Sequence, residues 1–290
     1  MDRIQQIRQS FARLTTANAR IPPGSELEAA FASIPREQFV GPPPWKFFTA
    51  TGYIETVTHD PAVLYQDVVV SLGTAAPLNN GQPTLHAHCI HALGVRKGDH
   101  ILHIGAGSGY YTTILAKLVG ETGSIDAYEI EPELAQRADG NLAPFPNVRV
   151  HARSGAIGPL PACDAIYINA GATEPMSIWL DALKPGGRLL FPLTPQSGTG
   201  AMLLITKPAE SNAGSKAYPA HFLMQVAFVP CIGARVESTT DRLAKAFHNR
   251  NGDKVRTLHR NNSPDETCWC AGNGWWLSTE QPGTPQSARQ

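Results

Sequence analysis

The stretch that decides the fold is Ile101–Tyr111, with the sequence ILHIGAGSGYY. It begins as an apolar run with β-branched residues, which is typical of a strand buried inside a sheet. Glycine then occupies every second position, at Gly105, Gly107 and Gly109, and the following run Thr112–Val119 has helical character. The stretch therefore predicts a strand, a tight turn and a helix, the first half of a nucleotide-binding βαβ unit.

The turn and the next strand together predict a cofactor site. Glycines adopt positive φ and let a ligand approach bare backbone, and the helix that follows offers free N–H groups. The strand Ser124–Tyr128 ends in Glu129 and Ile130, where a carboxylate can accept both hydroxyls of a ribose. We therefore predict that Gly105, Ala106, Gly107, Gly109, Glu129 and Ile130 bind the cofactor.

The glycine spacing indicates which cofactor this is. The order G-x-G-x-G differs from the G-x-G-x-x-G of NAD and FAD sites. A strand, this glycine turn, a helix and a second strand ending in an acid are typical of methyltransferases that use S-adenosylmethionine (SAM). An NAD-dependent oxidoreductase is a distant alternative, and a plain structural turn with a surface acid is another.

Composition limits the partners. The chain has 24 Lys and Arg against 24 Asp and Glu, so it has no basic excess, and we expect neither nucleic acid nor a membrane as partner. No run approaches the roughly 18 apolar residues of a membrane span. The N-terminus does not resemble a signal peptide, and five scattered cysteines fit a reducing compartment, so we expect a cytoplasmic protein. His86, His88 and His91 lack the spacing of a metal site, and we predict no bound metal.

The alternation of strands and helices predicts an α/β protein with a Rossmann-like, doubly wound, mostly parallel sheet. The predicted strands are 65–70, 101–104, 124–128, 148–151, 164–169, 188–193, 201–207 and 223–230. We divide the chain into an N-terminal helical segment with a polar loop (1–80), a SAM-binding core (81–234), a C-terminal helix and hairpin (235–280) and a disordered tail (281–290). Three tryptophans, Trp269, Trp275 and Trp276, predict a small aromatic core in the C-terminal segment.

The order of motifs over residues 25–234 resembles the protein-L-isoaspartate O-methyltransferase family. The matching segments are IPREQFV at 34–40, YQD at 65–67, NNGQP at 79–83, ILHIGAGSGY at 101–110, DAIYINA at 164–170, LKPGGRLL at 183–190 and AFVP at 227–230. The first and last of these make the resemblance specific to this family, since the others occur in methyltransferases generally.

The resemblance implies further site residues. It places Asn79, Asn80 and Gly81 in the loop that receives the substrate carboxylate, with Asp67 holding that loop or the amine of SAM. It places Ser154 and Gly155 near the adenine, Asn169 at the cofactor, and Ala170 and Gly171 beside the peptide groove. Three positions depart from the family: Asn79 and Gly81 replace a threonine and a serine, and Ser154 replaces an aspartate.

The resemblance implies carboxyl methylation of a peptide or protein, of the isoaspartyl type, with SAM as cofactor. A carboxylate is already ionised at neutral pH, so this chemistry requires no general base. The changes at Asn79 and Gly81 keep two alternatives open. One is a diverged methyltransferase for another peptide or small-molecule carboxylate, and the other is a non-catalytic module that binds SAM or a partner protein. The sequence does not indicate the oligomeric state.

Overall fold

The computed structural model describes residues 2–74, 77–196, 199–212, 214–249 and 251–282. The chain forms two compact units, Met1–Gly155 and Ala156–Gln290. Each unit contains strands and helices, and the predicted α/β fold class is confirmed.

Helices and a hairpin precede the nucleotide-binding strands in the first unit. The helices are α1 (Arg3–Asn18), α2 (Glu26–Ser33) and α3 (Pro83–Leu93), and the hairpin consists of β1 (Lys46–Thr49) and β2 (Gly52–Glu55). Asp2 caps α1 by accepting from the Gln5 N–H, and Ser25 caps α2 by accepting from the Glu28 N–H.

The rest of the first unit is a parallel βαβαβ arrangement. It runs β3 (His100–Ile104), α4 (Tyr110–Val119), β4 (Ser124–Tyr128), α5 (Pro132–Leu142) and β5 (Val148–His151). The strands lie in the order β3-β4-β5 and are parallel, with Ile104 opposite Tyr128 and Tyr128 opposite His151. The predicted strand, glycine turn and helix around residue 105 are therefore confirmed.

The second unit starts with parallel strands and continues as an antiparallel sheet. Its elements are β6 (Cys163–Ile168), α6 (Ser177–Ala182), β7 (Leu183–Leu193), β8 (Gly200–Thr206), β9 (Ala217–Val226), α7 (Glu237–His248), β10 (Thr257–His259), β11 (Cys268–Ala271) and β12 (Trp276–Ser278). Strands β6 and β7 are parallel, and the order then continues antiparallel as β7-β8-β9-β10-β12-β11. The C-terminal strands thus extend the sheet of this unit rather than forming a separate domain.

The predicted C-terminal hairpin is confirmed as β11 and β12, and Gly274 in its Asn-Gly turn has a φ of 80°. The predicted aromatic core is confirmed for Trp269, whose ring packs edge-on against Phe222 and Phe247 at 5.1 Å each. Most of the predicted tail, residues 283–290, lies outside the described residues. Among the described residues, no helix is long and apolar enough to cross a membrane.

The predicted strand at 65–70 is wrong, and Arg36 gives the physical reason. This segment consists of bends and a single bridge at Val70. The Arg36 guanidinium is completely buried and donates to the carbonyls of Leu64 at 2.7 Å, Gln66 at 2.9 Å and Val68 at 2.6 Å. One side chain therefore binds the carbonyls of three alternate residues. In a sheet, these carbonyls would accept hydrogen bonds from a neighbouring strand.

We predict that Arg36→Ala lowers the free energy of unfolding by about 3 kcal/mol or more. The substitution removes three hydrogen bonds from a charged donor and leaves buried carbonyls without partners, and bonds to charged groups contribute about 1.5–3 kcal/mol each. Urea denaturation measures the change. Arg3→Ala is the matched control, because the Arg3 side chain is 69% exposed and its ion pair with Asp60 lies at the surface, where water screens it. Equal losses in the two variants would contradict this role of Arg36.

Candidate functional site

The centre of the candidate site is the loop that joins β3 to α4. Gly105, Gly107 and Gly109 all have positive φ, at 76°, 58° and 96°. The N–H groups of Gly105 and Ala106 donate to the carbonyl of Tyr128, at 2.9 and 3.1 Å, which fixes the loop against the end of β4. Gly109 is the N-terminal cap of α4, so the first N–H groups of this helix point into the same region.

Glu129 is the acidic group of this site. Its side chain is 6% exposed, and one carboxylate oxygen accepts from the Gly107 N–H at 2.7 Å, while the other accepts from the Glu131 N–H at 3.0 Å. Burial raises the pKa of the Glu129 carboxyl, although hydrogen bonds from the backbone N–H groups of Glu131, Gly107 and Ile130 act in the opposite direction. The sequence-predicted acid and the central glycine are thus in direct contact.

Asp67 holds a second loop, residues 79–82, at the start of α3. Its carboxylate accepts from the backbone N–H of Thr84 at 2.8 Å and from the side-chain amide of Gln82 at 2.8 Å. The first contact satisfies a free donor in the first turn of α3, as a cap does. Asp67 therefore positions the loop that the family resemblance assigns to the substrate.

The three residues of that loop have different environments. The Asn79 side chain is exposed, and its Oδ1 accepts from the Gly81 N–H at 2.9 Å, so its Nδ2 remains the donor end. Asn80 is 7% exposed, and its backbone N–H donates to the Val70 carbonyl at 2.8 Å. Gly81 has a φ of 63°, and a Cβ added there would lie 2.1 Å from Nε2 of His86.

The sequence predicts that His86 is not a metal ligand and assigns it no role in the site, but the structure places it there. Its ring is 3% exposed and stacks on Tyr111 at 3.7 Å between centroids, with an angle of 14° between the planes. Burial lowers the pKa of His86 to about 3, with smaller contributions from His103 and Arg36, so the ring is neutral at pH 7. The imidazole fills the space that a side chain at position 81 would need, which gives a physical reason for glycine there.

Two side chains of α5 support the loops, and no sequence pattern predicts either contact. Arg137 donates to the Leu72 carbonyl at 2.5 Å and to the Phe39 carbonyl at 3.3 Å. Asn141 donates to the Ser108 carbonyl at 2.9 Å, inside the glycine loop. All three contacts join residues more than 30 positions apart, so local patterns cannot reveal them.

The other predicted cofactor residues of the first unit lie at strand ends. Ile130 is 42% exposed directly after Glu129. Ser154 and Gly155 follow β5, and a Cβ at Gly155 would lie 2.6 Å from Cγ1 of Ile104, the last residue of β3. Gly155 thus allows the segment after β5 to pack against the end of β3.

The remaining predicted residues belong to the second unit. Asn169, Ala170 and Gly171 directly follow β6, and Asn169 and Ala170 are half-buried. Arg235 fixes this turn, because its guanidinium donates to the Gly171 carbonyl at 2.9 Å and to the Thr194 carbonyl at 3.0 Å. The sequence reasoning did not identify Arg235.

The residues of the glycine loop fit a nucleoside cofactor such as SAM. The loop presents backbone at three positive-φ glycines, and Glu129 supplies a buried carboxylate beside them. The Ser108 hydroxyl is also buried, at 1% exposed, and has no hydrogen-bond partner among the described residues. Such a ligand requires exposed backbone to pack against, an acid that can accept from the ribose hydroxyls, and a buried polar atom as a further partner.

Comparison with known proteins gives a consistent result. The model of the protein-L-isoaspartate(D-aspartate) O-methyltransferase family matches residues 16–236. The protein-L-isoaspartate O-methyltransferase of Ignicoccus hospitalis is 31% identical over 71% of this chain and 89% of its own length. The protein-L-isoaspartate O-methyltransferase 2 of Marinobacter nauticus is 32% identical over 79% of this chain and 94% of its own length.

Solved structures are similar in fold. A protein-L-isoaspartate O-methyltransferase superposes with a TM-score of 0.64 at 21% identity, over 83% of this chain and 69% of that chain. A Plasmodium falciparum protein of the same description, in complex with S-adenosyl-L-homocysteine, superposes with a TM-score of 0.60 at 18% identity. That match covers 78% of this chain and 98% of the other.

We predict that Gly81→Ala destabilises the protein more than Gly73→Ala does. Both glycines have positive φ, so each substitution costs about 1–2 kcal/mol of backbone strain. Nothing lies within 4 Å of a Cβ at Gly73, whereas at Gly81 the added atom meets His86 and costs roughly 1–3 kcal/mol more. Urea denaturation measures both variants. Adding His86→Ala should remove the difference, and equal losses in the two single variants would disprove the contact.

Proposed function

Since the chain belongs to the protein-L-isoaspartate(D-aspartate) O-methyltransferase family, we propose that its glycine loop and Glu129 hold SAM, while the loop held by Asp67 receives the substrate carboxylate. The protein is a SAM-dependent methyltransferase that acts on isoaspartyl carboxylates of proteins. The observation that carries the residue assignments is the contact of the buried Glu129 carboxylate with the Gly107 N–H at 2.7 Å.

The roles proposed for the cofactor site follow from its chemistry. The carboxylate of Glu129 accepts the ribose hydroxyls, and the backbone of Gly105, Ala106, Gly107 and Gly109 lines the amino-acid end of the ligand. Ile130 contributes apolar contact, and Ser154 and Gly155 lie toward the base. Asn169 is a further proposed cofactor contact, assigned from the family resemblance alone. When bound, SAM supplies a methyl group activated by a sulfonium.

The chain itself needs to position the nucleophile rather than deprotonate it. An aspartyl-type carboxyl has a pKa of about 3.9, so it is ionised at neutral pH. The buried histidines near the site are neutral, because burial lowers the pKa values of His86 and His103 to about 3. We therefore assign the substrate carboxylate to a neutral donor, the Asn79 amide, and the catalytic contribution to orientation and exclusion of water.

The substrate assignment is tested with labelled SAM, an isoaspartyl peptide and its aspartyl twin. We expect a base-labile methyl ester on the isoaspartyl peptide alone. Methylation of the aspartyl twin to the same extent, or of neither peptide, would contradict the isoaspartyl assignment.

For the donor role we predict that Asn79→Asp lowers kcat/KM at least tenfold. The variant keeps an oxygen that accepts from the Gly81 N–H, so the loop geometry is preserved, but it replaces the Nδ2 donor by a negative charge beside the substrate carboxylate. A tenfold loss corresponds to about 1.4 kcal/mol, within the range for one hydrogen bond to a charged group. Steady-state kinetics measure the effect. Unchanged kcat/KM would exclude Asn79 from the substrate site.

For Glu129 we predict that Glu129→Gln weakens binding of S-adenosylhomocysteine by about 1–3 kcal/mol in calorimetry. Because burial raises the pKa of the carboxyl, the native protein should also lose affinity on acidification at a higher pH than an ordinary glutamate would cause. The Gln variant should lack this part of the pH dependence. Glu133→Gln is the control, since this residue is exposed in the first turn of α5 and should have native affinity. Equal affinity in the two variants would refute the role of Glu129.

We also propose a cytoplasmic location and no nucleic-acid partner. The five cysteines are free thiols, and Cys89, Cys163, Cys231 and Cys270 are buried, as expected in a reducing compartment. The formal net charge is zero, which provides no electrostatic attraction for a phosphate backbone.

A further inference from the structure

The β1–β2 hairpin is connected to the candidate substrate loop by a continuous set of backbone hydrogen bonds. The N–H of Phe48 donates to the Val69 carbonyl and the N–H of Ser71 to the Lys46 carbonyl, both at 2.9 Å. The segment around residue 70 pairs in turn with the loop, since Ser71 and Asn79 form an antiparallel bridge. Strand β2, strand β1, residues 69–72 and residues 78–80 thus form one antiparallel ladder.

The register of this ladder assigns each residue to a face. Lys46 and Phe48 of β1 lie opposite Glu55 and Tyr53 of β2. Directly opposite residues share a face. Lys46 lies opposite Ser71, and Ser71 lies opposite Asn79. The face that carries Phe48 and Tyr53 therefore also carries Asn79.

The opposite face contains the buried side chains. Phe47 bridges Val70 and packs against the core cluster of Val40, Trp45, Leu64 and Val70. Asn80, the neighbour of Asn79, is also buried. The hairpin is therefore fixed on one side by packing, and its other side faces solvent together with Asn79.

The solvent side of the hairpin is apolar. Phe48 is 56% exposed, and its ring contacts Tyr53 edge-on at 5.3 Å between centroids. Val57, just beyond β2, is fully exposed, whereas Ile54 lies opposite Phe47 and therefore belongs to the other face. The adjacent Lys46 and Glu55 form an ion pair, with 3.5 Å between Nζ and Oε1, so they add no net charge to this surface. A cluster of exposed apolar side chains on a fixed hairpin is typical of an interaction site.

We propose that this face, defined by Phe48 and Tyr53 with Val57 at its rim, binds the polypeptide that flanks the isoaspartyl residue of the substrate. The proposal rests on the proposed role of Asn79 at the substrate carboxylate. The occupant is an extended segment with apolar side chains, because the surface is apolar and without net charge. It is a polypeptide because the reaction of this family modifies proteins, and because the surface continues directly from the loop that receives the carboxylate.

The ladder also gives the position of the contact along the substrate. Neighbouring strands lie about 4.8 Å apart, so β1 lies about 10 Å from the loop residues. An extended chain advances about 3.4 Å per residue, so a side chain three or four residues from the isoaspartate reaches Phe48.

The test uses three isoaspartyl peptides. One has two residues on each side of the isoaspartate, and two have six on each side, with either leucine or serine at the third and fourth positions in both directions. We expect a KM at least fivefold lower for the leucine peptide than for the other two, at similar kcat. Phe48→Ser should abolish this advantage. Leu14→Ser is the matched control, because Leu14 is 64% exposed on α1, and it should leave the advantage intact.

A binding measurement separates this proposal from the proposed function. Fluorescence anisotropy with labelled peptides reports docking without turnover. If no peptide is methylated, the proposed function fails, while tighter binding of the leucine peptide that is lost in Phe48→Ser still supports docking. Equal KM and equal binding for the leucine and serine peptides would overturn the proposal, as would an advantage that survives Phe48→Ser. Sedimentation that reveals a dimer dependent on Phe48 would also overturn it, because the face would then bind a second copy.

Discussion

The contact between the Glu129 carboxylate and the Gly107 N–H is the interaction on which the site depends. It joins the end of β4 to the middle of the loop after β3, and the N–H groups of Gly105 and Ala106 reinforce the same junction through the Tyr128 carbonyl. Burying a carboxylate is unfavourable, and the raised pKa of Glu129 reflects this cost. Backbone N–H donors at Gly107, Ile130 and Glu131 offset part of it and keep the acid beside the bare glycine backbone, where the ribose contact that we propose requires it.

Two arginines, the buried Arg36 and the half-buried Arg137, fix the segments that lead to the proposed substrate loop. Arg36 binds three carbonyls between residues 64 and 68, and Arg137 binds the carbonyls of Leu72 and Phe39. Both use a planar, permanently charged group with several donors to satisfy carbonyls that no strand satisfies. Asp67 lies within the segment that Arg36 binds, and it holds the loop around Asn79. The ladder joins this loop to the β1–β2 hairpin.

The features that could be predicted from the sequence are those determined by residues close together in the chain. The glycine loop, the acid after β4 and the Asn-Gly hairpin each depend on a few neighbouring residues with defined conformational preferences. The sequence did not reveal His86 as the reason for glycine at position 81, because the two meet only through the turn at the start of α3. The segment 65–70 has strand-like residues but is not a strand, since a distant arginine binds its carbonyls. The β1–β2 hairpin was missed because its four-residue strands are too short for a clear alternation.

A crystal structure of the complex with S-adenosylhomocysteine tests the central claim most directly, through the distance between the ribose hydroxyls and the Glu129 carboxylate. We predict that both hydroxyls lie within hydrogen-bond distance of the carboxylate, about 2.5–3.0 Å, and that the amino-acid end of the ligand lies against the glycine loop. A ribose bound elsewhere, with Glu129 still bonded only to the N–H groups of Gly107 and Glu131, would contradict it.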